Sequence, residues 1–172
     1  MDTNGNLSST QSKTIEFLNK KNINLTAHSG EFSNTENILD AINNGAKRLG
    51  HACNLFGTSD EELLEKTISL IKEKNIHIES NPSSNIALGI INDFKTHPYK
   101  KMYDAGLSIA LNTDDRLMLN ALTLTDEYFN AHQENKLSLV DMVTMNINAA
   151  NAAFMEPQIK EEIIKAIKHF DR

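Results

Sequence analysis

The sequence predicts an α/β protein built from parallel βα repeats, and three observations carry that prediction. Short apolar runs of strand length alternate with amphipathic stretches of helical period. Helix-start signals fall between the runs. No proline-rich, glycine-serine or low-complexity linker divides the 172 residues, so the chain reads as one domain over 1–172. Strands alternating with helices imply a parallel sheet of right-handed βαβ units. Four strands at this spacing fit either half of a (β/α)8 barrel or a small open sheet. Both architectures place function at the carboxyl ends of the strands.

The elements follow in order. "QSKTIEFLNKKN" (11–22) is amphipathic and precedes the first strand, "INLTAH" (23–28). Ile38, Leu39 and Ile42 then share one helical face, with Ser33 and Glu36 at capping-box spacing before them. "AKRLGHA" (46–52) is the second strand. Leu63, Leu64, Ile68 and Ile71 form the next helical face, started by Ser59 and Glu62. "NIHIES" (75–80) is the third strand, and "NPSSN" reads as a loop. "HPYKKMYDAG" (97–106) carries a proline at a first helical turn and a glycine at its end. "LSIALNT" (107–113) is the fourth strand. Three further helical patterns occupy about 122–134, 138–152 and 157–170.

Composition excludes several functions. A formal net charge of −6 lacks the basic face of a nucleic-acid binder. No apolar run of ~20 residues and no signal-peptide pattern suggests membrane insertion or secretion. Cys53 is the only cysteine, so no internal disulfide can form, which fits a reducing, cytoplasmic location. It reads as a buried, unreactive thiol rather than a nucleophile.

The strand ends gather residues able to bind a metal, move a proton or orient a polar ligand. They are His28 and Glu31, then His51, then Glu79 followed by "NPSSN", and finally Asp114 and Asp115 in "LNTDD". Each has a plainer reading alone. Asn112, Thr113 and Asp114 form turns, Glu31 can serve a helix dipole, and Glu79 and Asn85 can satisfy loop backbone. His77, His97, His132 and His169 are read as structural or solvated. Together the strand ends favour a site. A cation between His28 and Asp114 would also relieve the repulsion between the adjacent aspartates.

"TAHSGE", "RLGHA", "ESNPSSN" and "LNTDD", in this order and spacing, resemble the adenosine deaminase family of the metal-dependent amidohydrolase superfamily. The tail "MNINAANAAFMEPQIKEEI" is similar to the family's closing helices, and "MDTNGN" to the segment that ends its fourth strand. The resemblance implies the carboxyl-terminal half of a TIM (β/α)8 barrel with extra C-terminal helices. It implies zinc-dependent hydrolytic deamination of adenosine or deoxyadenosine to inosine and ammonia, within purine metabolism. His28 and Asp114 would ligate Zn2+, Glu31 would deliver a proton to purine N1, and His51 would orient the attacking hydroxide. Asp115 would hydrogen-bond the N7 side, and Gly5 would offer its backbone N–H to N3. A single cysteine cannot build the other zinc deaminase design, H-x-E with P-C-x-x-C.

Departures from the family pattern are local. Ser29 stands for alanine, Leu49 for isoleucine, Ala52 for glycine, Asn81 for cysteine and Arg116 for proline. The larger departure is the lack of His-x-His, the first strand's metal ligands. The expectation is therefore a truncated domain that binds zinc weakly alone. It would self-associate or require a partner supplying the first half of the barrel. The alternatives are a non-catalytic fragment and a relative acting on adenine or a modified purine.

Overall fold

The protein is described by a computed structural model covering residues 9–170. Four parallel strands, β1 (Leu25–Ser29), β2 (Ala46–His51), β3 (His77–Ser80) and β4 (Ser108–Leu111), lie side by side in the order of the chain. Helix α1 (Ser9–Lys20) precedes β1. Helices α2 (Thr35–Asn43) and α3 (Glu61–Glu73) make the first two crossovers. The third crossover holds two short helices, α4 (Pro82–Ala87) and α5 (Tyr99–Asp104). After β4 come α6 (Leu124–Asn135), α7 (Leu139–Ala152) and α8 (Pro157–Phe170). The strand order never reverses, which distinguishes this sheet from a doubly wound one, where order switches at the ligand crevice. It is the progression of a barrel wall, here a partial one.

The register gives the two faces of the sheet opposite character. Ala27, Leu49, Ile78 and Ile109 lie in one row across all four strands. Leu49, Ile78 and Ile109 are fully buried, in one core with Ile38 and Ile42 of α2, Ile71 of α3 and Tyr99 and Met102 of α5. The rows pointing the other way are polar: Thr26, Arg48, His77 and Ser108, then His28, Gly50, Glu79 and Ala110. Arg48 Nε lies 2.9 Å from Thr26 Oγ1 and 2.9 Å from Glu79 Oε1, and its guanidinium stacks on the Phe154 ring. His77 Nδ1 is 2.9 Å from Ser108 Oγ. Strands whose two faces are both covered by apolar groups read as continuous hydrophobic runs. Here "AKRLGH" and "HIES" alternate because only the helix-covered face is apolar.

Helix ends depart from two sequence expectations. Neither Ser33 nor Ser59 caps its helix. Asn34 is the N-cap of α2 and makes no side-chain cap bond, while the Asp60 carboxylate accepts the Leu63 N–H at 3.0 Å to start α3. The reciprocal capping boxes are instead Thr123 with Asp126 and Ser138 with Asp141. The "NPSSN" segment, expected as a loop, is helical as α4, with Pro82 in its first turn, where the missing N–H costs nothing.

Ile78 is central to the apolar row, flanked in register by Leu49 and Ile109. Ile78→Ala is expected to lower unfolding stability by about 2–5 kcal/mol through lost burial and a residual cavity. Urea titration followed by far-UV circular dichroism reads this as a drop in midpoint with an unchanged slope.

Candidate active site

The carboxyl ends of the strands bring His28, Glu31, His51 and Asp114 together. Just past β1, Gly30 takes φ +60 and donates its N–H to Asn37 Oδ1 at 3.0 Å, turning the chain so that Glu31 folds back beside β2. A Cβ at Gly30 would lie 2.5 Å from Ile38 Cδ1, so the turn and the α2 packing both require glycine. At the end of β2, His51 and Ala52 both take left-handed backbone, φ 69 and φ 50, and Ala52 N–H donates to Ser29 O at 2.9 Å. Asp114, at the end of β4, is also left-handed at φ 57. Non-glycine residues in this region cost of order 1 kcal/mol each and mark places where the fold dictates an angle.

His51 is the buried centre, with a side chain only 1% exposed. Its ring meets His28 edge-on at 4.8 Å between centroids. Its Nδ1 is 3.5 Å from Glu31 Oε1, and its Nε2 is 3.8 Å from Asp114 Oδ2. The same Asp114 oxygen accepts the Ser84 hydroxyl at 2.7 Å, so α4 steadies the carboxylate from behind. Burial pushes the His51 imidazole down to about 4, helped by charge on His28 and opposed by Asp114 and Asn85. Burial pushes the Glu31 carboxyl above its ordinary value, with His28 opposing and the Asp114 charge adding. The site thus pairs a neutral, buried histidine with a carboxyl that holds its proton to higher pH than usual.

The ligand atoms of His28, Glu31 and His51 all lie within 4.8 Å of one another, and Asp114 reaches His51 from the far side. Imidazole nitrogens and carboxylate oxygens are donors that zinc takes, so these residues fit a metal ion. Two hollows elsewhere, about 460 and 540 Å3, include none of the four residues.

The remaining expectations divide. Asp115 is exposed on the turn after Asp114, and Gly5 lies outside the described residues. Glu79, expected at the functional edge, pairs with Arg48 instead. Cys53 is buried with its thiol held at about 11, chiefly by desolvation, in keeping with an unreactive role. His132 Nδ1 meets Leu137 O at 2.9 Å, a structural contact. His97, a structural residue by its sequence context, belongs to the hydrogen-bonded surroundings of His51. It lies 3.2 Å from Asn85 Oδ1, and Asn85 Nδ2 lies 3.1 Å from His51 Nδ1. No local sequence signal marks His97, and only the helical turn of α4 brings Asn85 under the ring. Ser84 and Asn81 were visible only as members of "ESNPSSN".

Gly50 stands beside His28 in register, and a Cβ there would lie 2.7 Å from His28 Cδ2. Gly50→Ala should displace the imidazole and weaken metal binding by about 10–100-fold, as losses around a ligand generally do. Isothermal titration with zinc measures this, and unchanged affinity would remove His28 from the ligand set.

A partial parallel barrel with a metal-competent group of histidines and carboxylates at its strand ends defines a class, the barrel hydrolases of amidohydrolase type. The sequence model of the adenosine deaminase family matches residues 6–170, and the chain belongs to that family. It is 33% identical over 154 residues to the adenosine deaminase of Plasmodium falciparum, covering 87% of this chain and 40% of that protein. It is 31% identical to the adenosine deaminase of Shewanella woodyi over 152 residues, covering 88% and 44%. The chain therefore spans less than half the length of these relatives. Among solved structures it superposes on an adenine deaminase from Arthrobacter aurescens with TM-score 0.82 at 17% identity, covering 92% of this chain and 47% of that one. It superposes on the N6-methyl-AMP deaminase of Arabidopsis thaliana with TM-score 0.79 at 23% identity, covering 94% and 46%. An amidohydrolase from Burkhoderia ambifaria with bound Zn gives TM-score 0.81 at 20% identity, covering 99% and 47%. At these identities the structural likeness carries the fold alone.

Proposed function

We propose that this chain supplies the carboxyl-terminal half of a zinc-dependent deaminase acting on adenosine or deoxyadenosine, yielding inosine and ammonia. The observation that carries the reading is the convergence of His28, Glu31, His51 and Asp114 from the ends of three strands around one buried imidazole. His28 and Asp114 would hold the zinc. When bound, zinc would make a water acidic enough to act as a nucleophile at neutral pH. Glu31, whose carboxyl burial raises above its ordinary value, would give its proton to purine N1 as oxygen adds to C6. His51 presents a ring nitrogen on the Asp114 side and orients the adding oxygen. The added oxygen's remaining proton then passes to N6. The C6–N6 bond breaks as the C6 oxygen becomes a carbonyl, and ammonia leaves. The proton the water first gave up returns Glu31 to its acid form. Asp115 would hydrogen-bond the purine on its N7 side, and the Gly5 backbone N–H would donate to N3. Arg116, where the family pattern has proline, follows Asp115 and bears on which purine is preferred.

The chain has no His-x-His, and β1 and β4 each pair on one side only among the described strands. These observations favour a half-barrel that works only once the remaining strands are supplied. We therefore propose that residues 1–172 form one deaminase-type unit whose open sheet edges are covered by the remaining barrel strands or, where those are not supplied, by a second copy. The test is sedimentation of the purified chain together with an ammonia-release assay on adenosine. Self-association without turnover, and turnover once a segment carrying His-x-His is added, is the expected result. A folded monomer that deaminates adenosine unaided would overturn the half-barrel reading.

A further inference from the structure

We propose that His97, acting through Asn85, is a positioning residue that fixes the tautomer of His51, placing the imidazole proton on Nε2, the nitrogen facing Asp114. Its meaning for catalysis rests on the deaminase reading, whereas the tautomer itself does not.

The direction of the chain of hydrogen bonds is set at its far end. The Tyr99 backbone N–H can only donate, and it donates to His97 Nδ1 at 3.2 Å. His97 Nδ1 is therefore the lone-pair nitrogen, and the proton of this buried neutral ring sits on Nε2. That N–H faces Asn85 Oδ1 at 3.2 Å, so the Asn85 carbonyl must point toward His97. The amide nitrogen is then the end turned to His51, and it donates to Nδ1 at 3.1 Å. A second amide, Asn81 Nδ2, lies 3.1 Å from His51 Nδ1 and 3.4 Å from Nε2. A donor in the ring plane aimed at one imidazole nitrogen is far from the other, so Asn81 lies over the ring face. The in-plane lone pair belongs to Asn85. With Nδ1 accepting, neutral His51 carries its proton on Nε2, which lies 3.8 Å from Asp114 Oδ2.

Glu31 Oε1, 3.5 Å from Nδ1, pulls the other way, toward an Nδ1 proton. It is beyond good hydrogen-bond distance, and an Nδ1–H would meet the Asn85 N–H head-on. Turning Asn85 over would move that collision to His97 Nε2–H. Either arrangement leaves buried donors facing donors, a cost that outweighs a long contact to a half-buried carboxyl. Under the proposed chemistry, the result is a donor N–H held ready on the Asp114 side, where the adding oxygen becomes more basic and charged.

Long-range 1H–15N correlation spectra of the 15N-labelled 172-residue chain, with chelator and no substrate, read the tautomer directly. His51 is assigned by loss of its peaks in His51→Gln. The Nε2–H form is expected to exceed the Nδ1–H form by about tenfold or more. In His97→Phe the ratio should fall by about tenfold, and in His97→Gln, whose amide can still donate to Asn85, it should return. In Asn85→Asp the carboxylate accepts from both rings, so the tautomer should invert to Nδ1–H. An Nδ1–H form in the unaltered chain, or an unchanged ratio in a folded His97→Phe, overturns the proposal. If His97→Phe does not fold, the unaltered chain and Asn85→Asp still decide it, and retention of Nε2–H in Asn85→Asp refutes it. Because no metal, substrate or turnover enters the measurement, its outcome is separate from that of the deaminase reading.

Discussion

Glu31→Gln is expected to lower adenosine turnover at least about 10²-fold, measured on the chain complemented by a His-x-His segment, while zinc content stays nearly unchanged. Gln has the shape of the carboxyl but no proton of suitable acidity to give to N1. Asp114→Ala should lose activity and metal together, because under the proposed chemistry Asp114 is a ligand. The contrast is informative because Glu31 stands close enough to His28 and His51 to be a ligand itself. Its carboxyl is raised by burial, which favours the proton-holding role, whereas a metal ligand must be ionised. Metal analysis beside the ammonia assay separates the two, and equal zinc loss in both variants would reassign Glu31 as a ligand.

Glu127→Gln should remove a pH-dependent loss of stability of up to about 3 kcal/mol. Glu127 is fully buried on α6. Its Oε1 accepts the Ser83 N–H at 3.2 Å, and its Oε2 has no partner. Desolvation raises the carboxyl to about 7, against the pull of the Ser83 hydrogen bonds. The folded protein therefore keeps a proton that the unfolded chain, titrating near 4.5, gives up. Between those values the folded state binds more protons, so stability falls as pH rises from about 4.5 to about 7. It is highest below that window and lowest above it. Gln keeps the acceptor for Ser83 and carries no charge, so this contribution to the slope disappears and the variant is more stable at pH above 7. Urea midpoints across pH measure this, and parallel curves for the two proteins would show that Glu127 is ionised or solvated in the folded state.

Much of the architecture was legible because hydrophobic period is a local property. The helices at 138–152 and 157–170 match α7 and α8 closely. The four strands were found in place, although β1 and β3 start two residues later than expected and β2 and β4 end one and two residues earlier. Caps were less legible. Ser33 and Ser59 have the right spacing, but backbone geometry chose Asn34 and Asp60, one residue later in each case. The "NPSSN" helix was missed because six residues are too few to show a helical period.

At the site, His28, Glu31, His51 and Asp114 could be picked out in advance, since each ends or follows a strand and parallel strands align their carboxyl ends. The adjacent aspartates proved to have different surroundings. Both are exposed, but Asp114 accepts the Ser84 hydroxyl and faces His51. The turn reading and the site reading of "LNTDD" both hold, because the left-handed backbone at Asp114 is what aims its carboxylate inward.

The sequence by itself determined the class of fold, the order of elements and the residues that meet at the strand ends. Those follow from period, from chain direction and from the rule that parallel repeats bring like ends together. Tertiary structure alone decided which face of the sheet is polar, that Glu79 serves Arg48, and that His97 reaches His51 through Asn85. These depend on which side chains meet across 12 to 34 residues of intervening chain, where packing and burial choose the partner and no local pattern records it.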